Sequence, residues 1–264
     1  MNNIISKIKK NFINSYLETM SDNEFPSKWK PGHGRYPSPF GVCQGHTYPI
    51  LNAITKIVSP SRCLETGSWA YRSAYSISLA MKENNGTIDT FDICVGGFSG
   101  PQGNTFLGMQ ETLKNDPRGK AIIPHFWRPH HTTYDKWKNE SENIIHKDFR
   151  NMTNDEIFKE NAKYLKSIAP KKGYDLISID ADHSFDGARF DWEYAHLVSH
   201  ENTVILIDDI YTHCHTEVKR FYESLDVESY NFYDFNMSHP EIFVNVAVCL
   251  PDKKLLNKLR DYEI

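Results

Sequence analysis

The residue types best able to do chemistry in this chain sit at the ends of two apolar runs. Leu176-Ile177-Ser178-Ile179 stops at Asp180-Ala181-Asp182-His183, and Val204-Ile205-Leu206-Ile207 stops at Asp208-Asp209. Short β-branched runs bounded by polar residues read as buried strands of a parallel sheet. In an open α/β sheet the ligand crevice lies just beyond the carboxyl ends of the strands. Two neighbouring strands of this kind bring carboxylates and an imidazole to one crevice. That is the chemistry of a metal site with a base beside it.

Other acids fall at comparable places. Arg62-Cys63-Leu64-Glu65 reads as a first strand, and Thr66-Gly67-Ser68 leads from it into a helix. A glycine there admits a ligand close to the backbone, and a helix N-terminus favours a carboxylate or phosphate. Thr87–Asp92 reads as a second strand, whose terminal Asp92 is suited to ribose hydroxyls. Asn143–Asp148 reads as a third, with Asp148 placed to face an adenine amino group. Neither GxGxxG nor GxxxxGK[ST] occurs at the Gly67 turn, which argues against a nicotinamide fold and against P-loop triphosphate cleavage.

The elements that must position these groups alternate. Helices are expected at about 4–20, 46–58, 71–81, 153–167, 185–198 and 215–225, with a closing strand pair at 230–235 and 242–250. Strands alternating with helices predict an α/β fold, a doubly wound and mostly parallel sheet, with the last two strands antiparallel. In the first helix Ile4, Ile5, Ile8, Phe12 and Leu17 are expected on one face, and in the 185–198 helix Phe185, Ala188, Trp192 and Ala195. Residues 1–45 read as an N-terminal helix and wrapping arm, and 46–264 as the main domain. Within that domain 94–142 is an insert with Gly96-Gly97, a helix at 104–115 and the aromatic run His125–His131. A segment this long is expected to serve as a substrate lid or an oligomer contact.

The order of Leu64-Glu65-Thr66-Gly67, Asp92, Asp148, Ile179-Asp180-Ala181-Asp182-His183 and Ile207-Asp208-Asp209 resembles the class I S-adenosylmethionine (SAM)-dependent methyltransferases over about residues 45–250. Within them the chain is similar to the metal-dependent O-methyltransferases, to the sugar-modifying macrocin and mycinamicin type more than to the catechol or caffeoyl-CoA type. The resemblance implies that Glu65 and Gly67 line the methionine part of the cofactor, that Asp92 holds the ribose and that Asp148 lies near the adenine. The expected cofactor-binding set is Glu65, Gly67, Ser68, Asp92, Asp148 and Asp180. The pattern departs at Tyr71, where the family's loop carries a further glycine.

Asp180, Asp208 and Asp209 are hard oxygen donors suited to Mg²⁺ or another divalent cation. His183 has the right intrinsic range for a base near neutrality. The family has a histidine at that place in its sugar enzymes and a lysine in its catechol type, so the resemblance implies an aliphatic hydroxyl acceptor. Two other readings share the fold. Relatives with this core include hydroxylases of antibiotic pathways, and an Fe²⁺ site would need a second histidine from afar, such as His130 or His131. A non-catalytic binding protein with a decayed site is the other, with Tyr71 as its support.

The bulk properties fit a globular protein. The chain has 264 residues, 39% hydrophobic and 24% charged, with a net charge of −4. No basic footprint points to nucleic acid. The five cysteines are scattered without a CxxC pair, so neither a disulfide framework nor a zinc knuckle is expected. The His213-Cys214-His215 triplet lacks the second half of a metal-ligand motif, so no metal site is expected there. No signal-peptide pattern or apolar run of membrane-spanning length occurs, so a cytoplasmic location is expected, with a small-molecule or glycan hydroxyl as acceptor and a homo-oligomer as one possible state.

Overall fold

The computed structural model describes residues 4–26, 47–68, 71–93, 116, 118–131, 145–211, 215–239, 242 and 244–260. Seven strands form one sheet: β1 (Arg62–Thr66), β2 (Thr87–Asp92), β3 (Ile122–Phe126), β4 (Tyr174–Ile179), β5 (Ser199–Ile207), β6 (Ser229–Tyr230) and β7 (Ala247–Cys249). Their order is β3-β2-β1-β4-β5-β7-β6. β1 to β5 are parallel, and β7 runs antiparallel to both β5 and β6. The order reverses between β1 and β4, which creates the crevice where ligands of such sheets bind.

Side chains alternate between the two faces. Cys63, Ile88, Leu176, Val204, Leu206 and Val248 pack beneath α1 (Ile4–Ser21), α2 (Thr47–Val58) and α3 (Arg72–Ala80). Leu64, Phe91, Ile177, Ile179, Ile205 and Ile207 pack on the other face against α4 (Asn154–Ile168), α5 (Phe185–Leu197) and α6 (Thr216–Glu223). Period-2 alternation with both faces covered is what a doubly wound sheet requires. Helix starts are fixed locally. Thr153 and Glu156 form a capping box on α4, and the Ser184 hydroxyl accepts from the Gly187 N–H on α5.

The N-terminal helix is part of this core. Ile5, Ile8, Phe12 and Tyr16 are buried, and the Phe12 ring meets Phe232 at 4.7 Å and Phe235 at 5.0 Å. Leu17, expected on that face, is exposed; Ser15 and Thr19 lie inward instead, where the Ser15 hydroxyl donates to Ala53 O and that of Thr19 to Asn52 Oδ1.

The third strand differs from expectation. It is Ile122–Phe126, inside the segment read as an insert, whereas Lys147–Asn151 forms a short 3₁₀ helix. Pro124 disguises the strand, since proline cannot donate to a ladder; it is tolerated because β3, among the described residues, is an edge strand paired with β2 alone. The C-terminal strands are shorter than expected, and Tyr233–Ser238 forms a helix, α7, between them. A last helix, α8 (Lys253–Arg260), packs near α5. Most of the expected arm, the Gly96-Gly97 turn and the 104–115 helix lie outside the described residues. Among the described residues no helix is long and apolar enough to cross a membrane.

Candidate active site

The Gly67 turn is built on backbone geometry. Gly67 has φ +88°, and a Cβ there would stand 2.2 Å from the carbonyl oxygen of Asp180. The ends of β1 and β4 are therefore in direct contact, tied also by the Asp180 N–H donating to Thr66 O at 3.0 Å. The N–H groups of Gly67 and Ser68 both donate to Phe91 O, at 2.8 and 3.2 Å. The Ser68 hydroxyl pairs with Thr90 Oγ1 at 2.7 Å, and the residue is buried. Ser68 therefore braces β1 against β2 through its N–H and its hydroxyl.

Tyr71, the departure from the family pattern, keeps the conformation that a glycine would take. Its backbone is left-handed (φ 55°, ψ 15°), its N–H donates to Ser68 O at 2.6 Å, and the residue is buried in the core. A non-glycine residue pays ~1–2 kcal/mol for this conformation, and burial of a large ring offsets a cost of that order.

Glu65 is fully buried at the end of β1, with Oε2 accepting from Thr90 Oγ1 at 2.5 Å. Burial pushes its carboxyl up to about 7, against the opposing hydrogen bonds of Ser73 and Thr90. Asp92 ends β2 and accepts from the Ile93 N–H at 2.7 Å. Asp148 does not end a strand. It lies in the 3₁₀ helix, half exposed, and accepts from Arg128 Nε at 3.0 Å and Nη2 at 2.8 Å, which hold its carboxyl below the ordinary carboxylate range. It still lies near the carboxyl edge of the sheet, because the neighbouring Ile145 N–H donates to Ile93 O and His146 Nε2 lies 3.2 Å from Phe126 O.

The acids of β4 and β5 converge. His183 Nε2 lies 3.2 Å from Asp180 Oδ1 and 3.3 Å from Asp209 Oδ2. Loss of solvent pushes the Asp180 carboxyl well above its usual range, and the charges of Asp209 and Glu65 push it further. Asp208 is raised for the same reasons, by desolvation first and then by Asp180 and Asp209. Carboxylates that raise one another in this way are stabilised by a cation placed among them. Among the described residues, the donor atoms that lie within 4.8 Å of one another, as metal ligands do, are those of His183, Asp209 and His215. Asp182, by contrast, accepts from the Ser184 N–H at 2.9 Å and shapes the start of α5.

One group at this place escaped the sequence reading, and a second was noticed there only as part of the His213-Cys214-His215 triplet. Asn245, buried just before β7, donates from Nδ2 to Asp209 Oδ1 at 2.7 Å and accepts the Tyr211 N–H at 2.6 Å. It thereby fixes Asp209, whose backbone is left-handed at φ 63°. The other is His215, whose ring stacks on His183 with centroids 3.8 Å apart and whose Nε2 lies 3.4 Å from Asp209 Oδ2. No local pattern around Asn245 signals its role; His215 was visible as one member of the His213-Cys214-His215 triplet.

The distant histidines expected for an iron site lie elsewhere. His130 stacks on Phe190 and pairs with the Tyr194 hydroxyl at 2.8 Å, with burial pushing its imidazole down to about 4. His131 Nε2 lies 2.6 Å from Met152 O. The second imidazole beside His183 is His215.

Residues 64–210 match the model of a protein family described as a methyltransferase domain. The chain belongs to this family. No protein of curated function matches it. Solved structures similar to this methyltransferase domain include the O-methyltransferase TomG of Streptomyces achromogenes, involved in tomaymycin synthesis and solved with SAM (13% identity, 80% of this chain and 82% of that one, TM-score 0.47). An O-methyltransferase of Bacillus cereus in complex with SAH matches at 12% identity over 94% and 91% of the two chains, TM-score 0.45. An SAH-bound methyltransferase of Podospora anserina matches at 12% over 94% and 93%, TM-score 0.48. The mostly parallel sheet with its antiparallel β7 agrees with the fold class expected from the sequence.

Proposed function

We propose that this methyltransferase domain moves the methyl group of SAM to a hydroxyl of a sugar or related polyol, assisted by a divalent cation at Asp180, Asp208 and Asp209. The observation that carries the reading is the meeting of Asp180, His183 and Asp209 beside the Gly67 turn, where the sheet order reverses. Glu65, Gly67 and Asp92 line the first two strand ends and form the cofactor side, with Asp148 at its outer edge. The acids and His183 form the acceptor side.

The reaction is a direct displacement. The acceptor oxygen forms a bond to the methyl carbon as the carbon–sulfur bond breaks, leaving S-adenosylhomocysteine. The donor is already activated, so the protein supplies alignment and a better nucleophile. A bound cation lowers the hydroxyl pKa and orients it. His183 takes the proton on Nδ1: its Nε2 faces Asp180 and Asp209 as a donor, which orients the ring and fixes the tautomer. The fixed position of Asp209, through Asn245, holds the site's far wall.

The test is incubation of the full chain with SAM, a divalent cation and a panel of glycosides and polyols, read by mass spectrometry. A gain of one methyl on a sugar hydroxyl supports the reading. Methylation confined to phenols, amines or thiols overturns the acceptor class.

A further inference from the structure

His215 is outside the set that the acids of β4 and β5 define, yet it points into it. Its Nε2 lies 3.4 Å from Asp209 Oδ2, and the donor atoms of His183, Asp209 and His215 all lie within 4.8 Å of one another. A nitrogen and an oxygen 3.4 Å apart are spaced like two ligands along one edge of a coordination shell, given metal–ligand bonds of about 2.0–2.2 Å. Asp209 is held in that place from behind by Asn245 and by an uncommon left-handed backbone, so the carboxylate is pre-set.

Two imidazoles face one carboxylate oxygen, His183 Nε2 at 3.3 Å and His215 Nε2 at 3.4 Å from Asp209 Oδ2. His183 follows β4, whose end touches the Gly67 turn of β1. His215 follows β5, one strand further from that turn. With His183 assigned to the proton in the reading above, His215, stacked on it at 3.8 Å, is the imidazole left to bind the cation. We propose that His215 is a nitrogen ligand of the cation held by Asp209, and that the site therefore prefers a borderline transition ion such as Mn²⁺, Co²⁺ or Zn²⁺ to Mg²⁺. Imidazole suits such ions, whereas Mg²⁺ favours an all-oxygen shell. The inference rests on the cation reading above and deepens it by naming a donor and a metal class.

The test needs neither SAM nor acceptor, so it fails or succeeds independently of the methyltransferase reading. Full-length protein is stripped with a chelator, dialysed and titrated with Co²⁺, following the visible absorption of the ion, and with Mg²⁺ by calorimetry. The expected result is one Co²⁺ per chain, bound at least ~100-fold more tightly than Mg²⁺, in keeping with the affinity order of nitrogen-containing sites. His215→Ala should weaken Co²⁺ by ~10–100-fold and shift its absorption, with Mg²⁺ affinity changed less than about threefold. His215→Asn, with the fold checked by circular dichroism, guards against a collapsed helix start and should give the same loss. Equal affinities for Co²⁺ and Mg²⁺ in the wild type overturn the proposal. So does an unchanged Co²⁺ spectrum in both His215 variants, or loss of the Co²⁺ site in His183→Ala with retention in His215→Ala.

Discussion

Gly67→Ala tests whether the β1–β4 contact builds the cofactor side. At φ +88° an alanine pays ~1–2 kcal/mol for the left-handed conformation. Its Cβ would also stand 2.2 Å from Asp180 O, 2.6 Å from Asp180 C and 2.8 Å from Ala181 Cα. These are backbone atoms, so no rotamer change relieves the overlap, and moving a packed strand end adds ~1–3 kcal/mol. The expected loss is ~2–5 kcal/mol in urea unfolding, and the displaced Asp180 carries the acids with it. Gly173→Ala is the control. It has φ +89° and a Cβ that would stand 2.5 Å from Val198 O, but it precedes β4 at the end of the strand away from the site. Both variants should lose comparable stability, whereas only Gly67→Ala should weaken SAM binding by calorimetry, by about tenfold (~1.4 kcal/mol) or more. Wild-type stability in Gly67→Ala would refute the geometric argument. Equal losses of SAM affinity in the two folded variants would refute the link between this turn and the cofactor.

Three further expectations follow from particular contacts. Asn245→Ala strands the Tyr211 N–H and releases Asp209, so urea unfolding should show a loss of ~1–3 kcal/mol and metal titration a ~10–100-fold weaker site. Glu65, raised to about 7 in the folded protein, binds more protons than its unfolded counterpart, so its effect is to reduce stability as pH rises from about 4.5 to about 7, by up to ~3 kcal/mol. Glu65→Gln should flatten that fall in a pH series of unfolding curves; an unaltered slope counts against the buried acid as its source. Asp92→Ala should lower SAM affinity by about tenfold or more, while Asp148→Ala, whose partner is Arg128 at a half-exposed site, should lower it by less than about threefold.

The core was legible wherever pattern and burial agree. Leu176–Ile179 and Val204–Ile207 announce β4 and β5 because strands covered on both faces are apolar throughout. The acids that follow them were legible as a group because a parallel sheet brings its strand ends to one edge. β3 was not, since Pro124 breaks its pattern and only its position at the sheet's edge makes that proline acceptable. Asp148 went with it: the apolar Ile144-Ile145 pair looks like a strand, but Asp148 itself lies in a 3₁₀ helix, and the Ile145 N–H donates to Ile93 O just beyond β2. Tyr71 reads as damage to a glycine loop, yet its backbone adopts the glycine conformation, a fact that residue type alone hides. Asn245 and His215 reach Asp209 from 36 and 6 residues away along the chain, Asn245 through the antiparallel return of β7. Such contacts depend on tertiary register, which no local spacing encodes.

The most direct test of the account is transfer of a labelled methyl group from SAM to a sugar or polyol hydroxyl, measured with added divalent cation, after chelation, and in His183→Ala. The account predicts labelled product with the cation, near-complete loss on chelation that metal restores, and a fall of ~10²–10⁴-fold in His183→Ala with SAM binding retained. Full turnover in the presence of chelator would contradict the cation, and wild-type turnover in His183→Ala would contradict the assignment of the proton acceptor.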